Sequence, residues 1–282
     1  MDDLLVRLRR FHDESFPNYQ RRFQELVEQG QHPTTLFIGC SDSRLVPYML
    51  TGAGPGELFI VRNVGALVPP HDGAHGWHGT AAAIEFAVLN LGVRDIVVCG
   101  HSHCGAMRAL YEGVPEEARH LHEWLELARE AALPVCLEDP QAHALRQEVL
   151  RRTEQRAIVL QLERLMSYPM VSRRVDERRL ALHGWHYVIE EGEVYVFDVQ
   201  SGRFLPASQA PHSGTGPYPA PPSDGDPPGL SEGAAVGKAP EGGARTDAAP
   251  RAAGQPMGDA SAASDGQPSP GSGCGCCGRP RS

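Results

Sequence analysis

The chain has 282 residues and a net charge of −9 at pH 7, and its longest apolar runs fall far short of the roughly 18 to 20 residues that span a bilayer. This pattern argues against a membrane-spanning protein, and the acidity argues against a nucleic-acid partner, because phosphate binding needs a clustered basic surface. The start "MDDLLVRLRR" lacks the features of a signal peptide and predicts a cytoplasmic protein. The seven cysteines are therefore more typical of ligands, thiols or core residues than of disulfides.

The composition changes near residue 206. Before that point apolar segments alternate with turn signals, whereas residues 207–282 are dominated by Pro, Gly, Ala and Ser, with Tyr218 as their only aromatic residue. Such a segment cannot bury enough apolar surface to offset the entropy lost on ordering. We therefore predict a folded domain at residues 1–206 and a disordered C-terminal tail at residues 207–282.

Apolar residues recur at helical spacing near the N-terminus and predict a helical arm that ends at Gly30. Two short apolar segments, "TTLFIG" (34–39) and "ELFIVRNV" (57–64), then predict buried strands. The segment "GTAAAIEFAVLNLG" (79–92) is rich in Ala and predicts a helix with Gly92 as its stop signal.

The second half of the domain continues this alternation. "DIVVCG" (95–100) predicts a third strand, "AMRALYEG" (106–113) a short helix, and residues 115–166 a mostly helical region. "EVYVFDV" (193–199) alternates in polarity and predicts an edge strand. Buried strands separated by helices indicate an α/β fold, with a central, mainly parallel sheet flanked by helices and an N-terminal helical arm.

Three metal-binding side chains follow two of the predicted strands. Cys40 comes directly after the first strand, and His101 and Cys104 come directly after the third. If those strands are neighbours, the three side chains meet at the carboxyl edge of the sheet, where open parallel sheets bind ligands. Two thiols and one imidazole suit Zn²⁺, and three protein ligands leave a fourth position for water or a neighbouring carboxylate.

Two motifs carry a resemblance to a known family. "CSDSR" (40–44), followed by "CGHSHCGA" (99–106), resembles the zinc signature of the β-class carbonic anhydrases of bacterial type. The resemblance runs from about Phe11 to Pro206 and includes "PGELFIVRNVG", "AAIEFAV", "LMSYP" and "LHGWHY". It implies reversible hydration of CO₂ to bicarbonate and a proton by zinc-bound hydroxide, and a homo-oligomer built from dimers.

The same resemblance gives the first motif a division of roles. Cys40 binds zinc, Asp42 accepts a hydrogen bond from the zinc-bound hydroxide, and Arg44 holds that carboxylate through a bidentate pair. In some relatives the matching aspartate moves onto zinc and blocks the water site, and an Arg44 pair would oppose that movement. The alternative to these catalytic roles is that Asp42 and Arg44 form only a structural ion pair.

Substrate-binding residues are also expected by resemblance. Gln31 matches a glutamine that binds substrate from the partner subunit, while Phe59 and Val64 match apolar residues that line the CO₂ pocket. An apolar pocket suits a nonpolar substrate.

One departure concerns regulation. Relatives with an inhibitory bicarbonate site carry Trp at the position of Phe37, together with an arginine and a tyrosine that correspond to Arg62 and Tyr187. Phe cannot donate the indole hydrogen bond, so we expect an enzyme without this bicarbonate lock.

Other residues could be functional, or could have a structural role or none. His103 could accept a proton, and a group of loop histidines could relay protons or bind a second metal, although such residues often have no role: His71, His75 and His78. Cys99 and Cys136 are more typical of structural positions. Three tail cysteines could bind metal, cross-link or sense oxidation, or be accidental: Cys274, Cys276 and Cys277.

Alternatives to an active carbonic anhydrase remain at this stage. They are an inactive zinc-bearing scaffold and a zinc hydrolase of a CO₂ analogue such as carbon disulfide. The tail could be inert, or it could bind a protein partner and recruit the enzyme to a bacterial microcompartment, the carboxysome, by analogy with relatives that carry C-terminal extensions.

Overall fold

One six-stranded sheet organises the computed structural model, which describes residues 2–71, 78–135 and 143–210. The strands are β1 (Thr35–Cys40), β2 (Leu58–Asn63), β3 (Asp95–His101), β4 (Ala181–Val188), β5 (Glu193–Asp198) and β6 (Arg203–Pro206). Their order in the sheet is β2-β1-β3-β4-β5-β6. The pairings from β2 to β4 are parallel and the last two are antiparallel, which confirms the mainly parallel sheet.

Eight α-helices accompany the sheet within the described ranges. They are α1 (Asp2–Arg10), α2 (Phe16–Gln29), α3 (Pro47–Thr51), α4 (Gly79–Glu85), α5 (Gly105–Glu112), α6 (Arg119–Leu125), α7 (His143–Met166) and α8 (Pro169–Asp176). A π-helical segment joins α1 to α2, and α2 ends before Gly30, as predicted. The helix predicted at residues 79–92 forms as α4 followed by a π-helical segment, and Gly92 ends it in a left-handed conformation.

Helices cover both faces of the sheet, because alternate strand residues point to opposite sides. Leu36 and Ile38 of β1 pack into an apolar cluster with residues of α4 and α8. Phe37, between them, packs into a second cluster with residues of α5 and α6. The metal-binding candidates Cys40 and Cys104 belong to this second cluster.

The prediction that residues 193–199 form an edge strand is wrong. β5 pairs with β4 on one side and with β6 on the other. β6 covers the flank of β5, but its four residues are too few to show an alternating pattern in the sequence. β4 was also not predicted, because two histidines and a glycine interrupt its apolar character.

Some predictions concern residues outside the described ranges. They are the positions of His75 and Cys136 and the disorder, thiols and partners of the tail beyond residue 210. Within the described part of the chain, no helix is both long and apolar enough to cross a membrane.

Close packing fixes α7 against the sheet. Ile158 of α7 lies over Gly100 of β3 and Gly184 of β4, and a Cβ added at Gly184 would lie 2.9 Å from Ile158 Cγ2 and 3.1 Å from Leu162 Cδ1. Only glycine therefore fits at positions 100 and 184, where the helix approaches the sheet most closely.

Replacing Gly184 with Ala should consequently lower the free energy of unfolding by about 1 to 3 kcal/mol, the usual cost of overpacking. Chemical denaturation measures this change. Gly79→Ala is the control, because a Cβ at Gly79 meets no atom within 4 Å. Equal stability of the two variants would show that α7 is not packed against β4 as described.

Candidate metal centre

The three predicted ligands meet at the carboxyl edge of the sheet. β1 and β3 are parallel neighbours, Cys40 and His101 are their last residues, and Cys104 immediately precedes α5. The ligand atoms of these three residues all lie within 4.8 Å of one another, and all three residues are buried. The expectation that the two strand ends bring the side chains together is therefore confirmed.

The donor atoms are arranged to receive a cation. His101 Nδ1 lies 2.9 Å from the carbonyl oxygen of Ser102, so Nδ1–H donates and the Nε2 lone pair is free to coordinate. His101 Nε2 is buried without a hydrogen-bond partner among the described residues. An unpaired imidazole nitrogen beside two thiols fits a borderline-soft metal ion such as zinc.

The two thiols influence each other's protonation. Their mutual hydrogen bond lowers the pKa of Cys40 and raises the pKa of Cys104. The backbone N–H of Gly65 also donates to Cys40 Sγ, at 3.4 Å. Gly65 has a φ of +82°, and an added Cβ there would lie 3.1 Å from Ala106 Cβ, so the close approach of this N–H depends on glycine.

Asp42 and Arg44 form the predicted bidentate pair. Arg44 Nε lies 2.9 Å from Asp42 Oδ1, and Arg44 Nη2 lies 2.7 Å from Asp42 Oδ2. These bonds hold the pKa of Asp42 well below its ordinary value, so its carboxylate stays ionised. Asp42 Oδ2 is 3.8 Å from His101 Nε2, which places this oxygen beside the ligand cluster while Arg44 holds it.

The backbone of this motif is anchored as well. Arg62 of β2 donates to the carbonyl oxygens of Cys40 and Asp42, at 3.1 and 2.6 Å. Phe37 is fully buried and packs edge-to-face on Trp185, with ring centroids 6.2 Å apart. The guanidinium of Arg62 thus holds the backbone of residues 40–42, and the Phe37 ring offers no hydrogen-bond donor.

His103 lies at the rim of the cluster. Its Nε2 is 3.1 Å from Glu190 Oε1, while the Ser102 hydroxyl donates to Glu190 Oε2 at 2.7 Å. The side chain is one-third exposed. This arrangement fixes the imidazole toward Glu190.

The predicted substrate residues are spread more widely. Val64 adjoins the cluster, since it directly precedes Gly65, whose N–H donates to Cys40 Sγ. Phe59 lies near the start of β2, about 13 Å along the strand from the level of Cys40, and its ring packs on Phe86. Gln31 is exposed before β1, at the opposite end of that strand. Within one chain, therefore, Val64 alone of these three lies beside the ligands.

Two residues next to the cluster were not singled out from the sequence. Glu154 of α7 accepts the backbone N–H of Cys104 through Oε1 at 3.1 Å, and its Oε2 lies 3.1 Å from Nε2 of His186 on β4. A signal was available, because Glu154 lies on the helical stripe that contains Leu150, Ala157 and Ile158. A carboxylate on a buried stripe requires a partner.

Sequence comparisons identify similar proteins. The model of the family described as "Carbonic anhydrase" matches residues 35–194. The carbonic anhydrase of Synechocystis sp. is 38% identical over 200 residues, which cover 70% of this chain and 71% of that protein. The carbonic anhydrase of Pseudomonas aeruginosa is 39% identical over 212 residues, covering 75% and 94% of the two chains.

Solved structures give the same result. The β-carbonic anhydrase CcaA is 36% identical, with a TM-score of 0.66, and the match covers 73% of this chain and 98% of that chain. One of two tetrameric β-carbonic anhydrases from the ascomycete Sordaria macrospora is 28% identical, with a TM-score of 0.57, covering 69% and 95%.

The ligand cluster predicts the behaviour of metal-site variants. Purified protein should contain one metal ion per chain, and replacement of Cys40, His101 or Cys104 by Ala should remove it, because each supplies one of three ligands. Elemental analysis measures the content. Cys99→Ala should retain the metal, since Cys99 lies on β3 outside the cluster and burial raises the pKa of its thiol. Full occupancy in the Cys104 variant would contradict the assignment.

Proposed function

The chain belongs to the β-class carbonic anhydrase family, and on that premise we propose that it hydrates CO₂ reversibly to bicarbonate and a proton, with zinc as its metal. The observation that carries the proposal is the cluster of Cys40, His101 and Cys104 with the Asp42–Arg44 pair beside it. The contact between Asp42 and Arg44 favours an active enzyme over an inactive zinc-bearing scaffold.

Zinc is the metal that fits the donor set best. Two sulfur atoms and one imidazole nitrogen suit its borderline softness, and three ligands leave a position for a reacting water. When bound, zinc would acidify that water and supply a nucleophile near neutral pH.

Asp42 and Arg44 would prepare the reaction from the protein side. Asp42 stays ionised, so its Oδ2 can accept a hydrogen bond from the nucleophile and orient a lone pair toward the carbon of CO₂. Arg44 occupies both carboxylate oxygens and opposes the movement of Asp42 toward the ligands. Val64 would contribute apolar surface for the substrate.

Gln31 and Phe59 would act at the cluster of a second subunit. Neither lies beside the ligands of its own chain, as their positions relative to β1 and β2 indicate. A dimer that places them against the partner's cluster would complete the substrate pocket. The tetrameric relatives from Sordaria macrospora support an oligomeric enzyme.

The function is tested by stopped-flow measurement of CO₂ hydration with zinc content determined in parallel. The native protein should be active, and Asp42→Asn should retain zinc while losing activity on the order of 10²-fold, because the neutral amide has one acceptor oxygen in place of two and its NH2 group would face an Arg44 donor. Glu148→Gln is the control, since Glu148 is a solvent-exposed acid paired with Arg152 on α7. Native protein with full zinc and no CO₂ hydration would rule out the proposed activity.

The exposed apolar surface of the N-terminal arm indicates where a second subunit would bind. Apolar side chains of the arm lie open to solvent in the single chain, with exposed fractions of 62% for Leu4, 63% for Leu8 and 47% for Phe11. A second copy would bury this surface.

The double variant Leu4→Ser, Leu8→Ser should therefore shift the protein toward monomer, as measured by light scattering coupled to gel filtration. CO₂ hydration should fall with it, because Gln31 and Phe59 would leave the partner's site. Val199→Ser is the control, since Val199 is 77% exposed but lies outside the arm. An unchanged dimer in the arm variant would show that another surface joins the subunits.

A further inference from the structure

One peptide group of the loop that joins His101 to Cys104 is held from both sides. The carbonyl oxygen of His103 accepts a bond from Arg44 at 3.1 Å, and the N–H of Cys104, which belongs to the same peptide group, donates to Glu154 Oε1 at 3.1 Å. A cationic side chain thus faces the carbonyl, and an acidic side chain faces the N–H. The two contacts oppose rotation of this peptide plane.

The loop needs such restraint. His103 has a φ of +57°, in the left-handed region that a residue with a Cβ adopts at a cost. That conformation persists when surrounding contacts impose it. The restrained peptide leads directly into Cys104, so its orientation determines where the Cys104 sulfur lies relative to Cys40 and His101.

Glu154 is itself held in place. Glu154 and His186 are 4% and 0% exposed, and Glu154 Oε2 lies 3.1 Å from His186 Nε2. A buried polar pair of this kind is costly, and apolar residues of similar volume often stabilise a fold as well or better. The pair is explained if the bond from Glu154 to Cys104 serves the metal site.

We propose that Glu154, oriented by His186, is a positioning residue for the zinc ligand Cys104. With Arg44 on the opposite side, it fixes the His103–Cys104 peptide in the orientation that brings the Cys104 sulfur to the metal. The inference rests on the proposed zinc site and concerns side chains that do not touch the metal. Outer contacts of this type change metal affinity by about 10- to 100-fold when they are lost.

Zinc affinity, measured by competition with a chromogenic chelator, tests the assignment in the full-length protein. Glu154→Leu should weaken zinc binding by about 10- to 100-fold. It should also alter the thiolate-to-metal absorption of the cobalt-substituted protein. Glu154→Gln should remain within about threefold of the native affinity, because its amide oxygen can still accept the Cys104 N–H.

Two further variants separate positioning from stability. The double variant Glu154→Leu, His186→Leu replaces the polar pair with apolar residues, so it should recover thermal stability and keep the weakened zinc affinity. Thr153→Val changes the neighbouring buried residue, which bonds to Tyr111 and to the Val149 carbonyl. It should lower the melting temperature and leave zinc affinity and the cobalt spectrum unchanged.

The outcomes distinguish the two proposals. Native protein that binds no zinc would reject the proposed function itself. If native protein binds zinc and Glu154→Leu binds it equally well, the positioning role is wrong while the zinc site stands. Failure of Glu154→Gln to preserve affinity, recovery of affinity in the double variant, or equal loss in Thr153→Val would each also overturn the positioning role.

Discussion

The parallel pairing of β1 with β3 is the constraint on which the site depends. Gly39 is opposite Cys99 in this register, so Cys40 and His101 emerge at the same edge within two residues of each other. A slip by one residue would turn the apolar side chains of one strand toward the wrong cluster and shift the ends of β1 and β3 relative to each other. The apolar residues on both faces of β1 and β3 fix this register, because each must enter its own cluster.

Charge at the cluster is balanced from several directions. Two carboxylates lie beside the thiols, the partly exposed Asp42 and the buried Glu154, and a buried carboxylate without a partner is costly. Arg44 pairs with Asp42, Arg62 binds the loop carbonyls, and His186 faces Glu154. The proposed zinc ion would supply the remaining positive charge between the thiols. Arg44 and Arg62 thus hold the segment that follows Cys40, and His186 bonds to Glu154 on the other side of the cluster.

The convergence of Cys40, His101 and Cys104 could be predicted from the sequence, because it depends on where two strands end and on which side chains follow them. The Asp42–Arg44 pair could be predicted equally well, because its two residues are only two positions apart in the sequence. β6, which forms the sheet edge, could not be predicted, because its four residues carry little periodic signal. Glu154 could be placed on a helix stripe, but its partners Cys104 and His186 come from distant segments, and only the packing of α7 across β3 and β4 joins them. Gln31 and Phe59 show a further limit, since their proposed site requires a second chain.

Packing and site geometry meet on α7. Glu154 and Ile158 are one helical turn apart and lie on the same face of the helix. Ile158 fits over Gly100 and Gly184, and this contact sets the distance of the helix from β3 and β4. Glu154 reaches the N–H of Cys104 because the helix lies that close, and Gly100 directly precedes the candidate ligand His101. A larger residue at either glycine would push α7 outward and withdraw the carboxylate from the loop. The glycines of the two strands therefore affect the three candidate ligands through the position of α7.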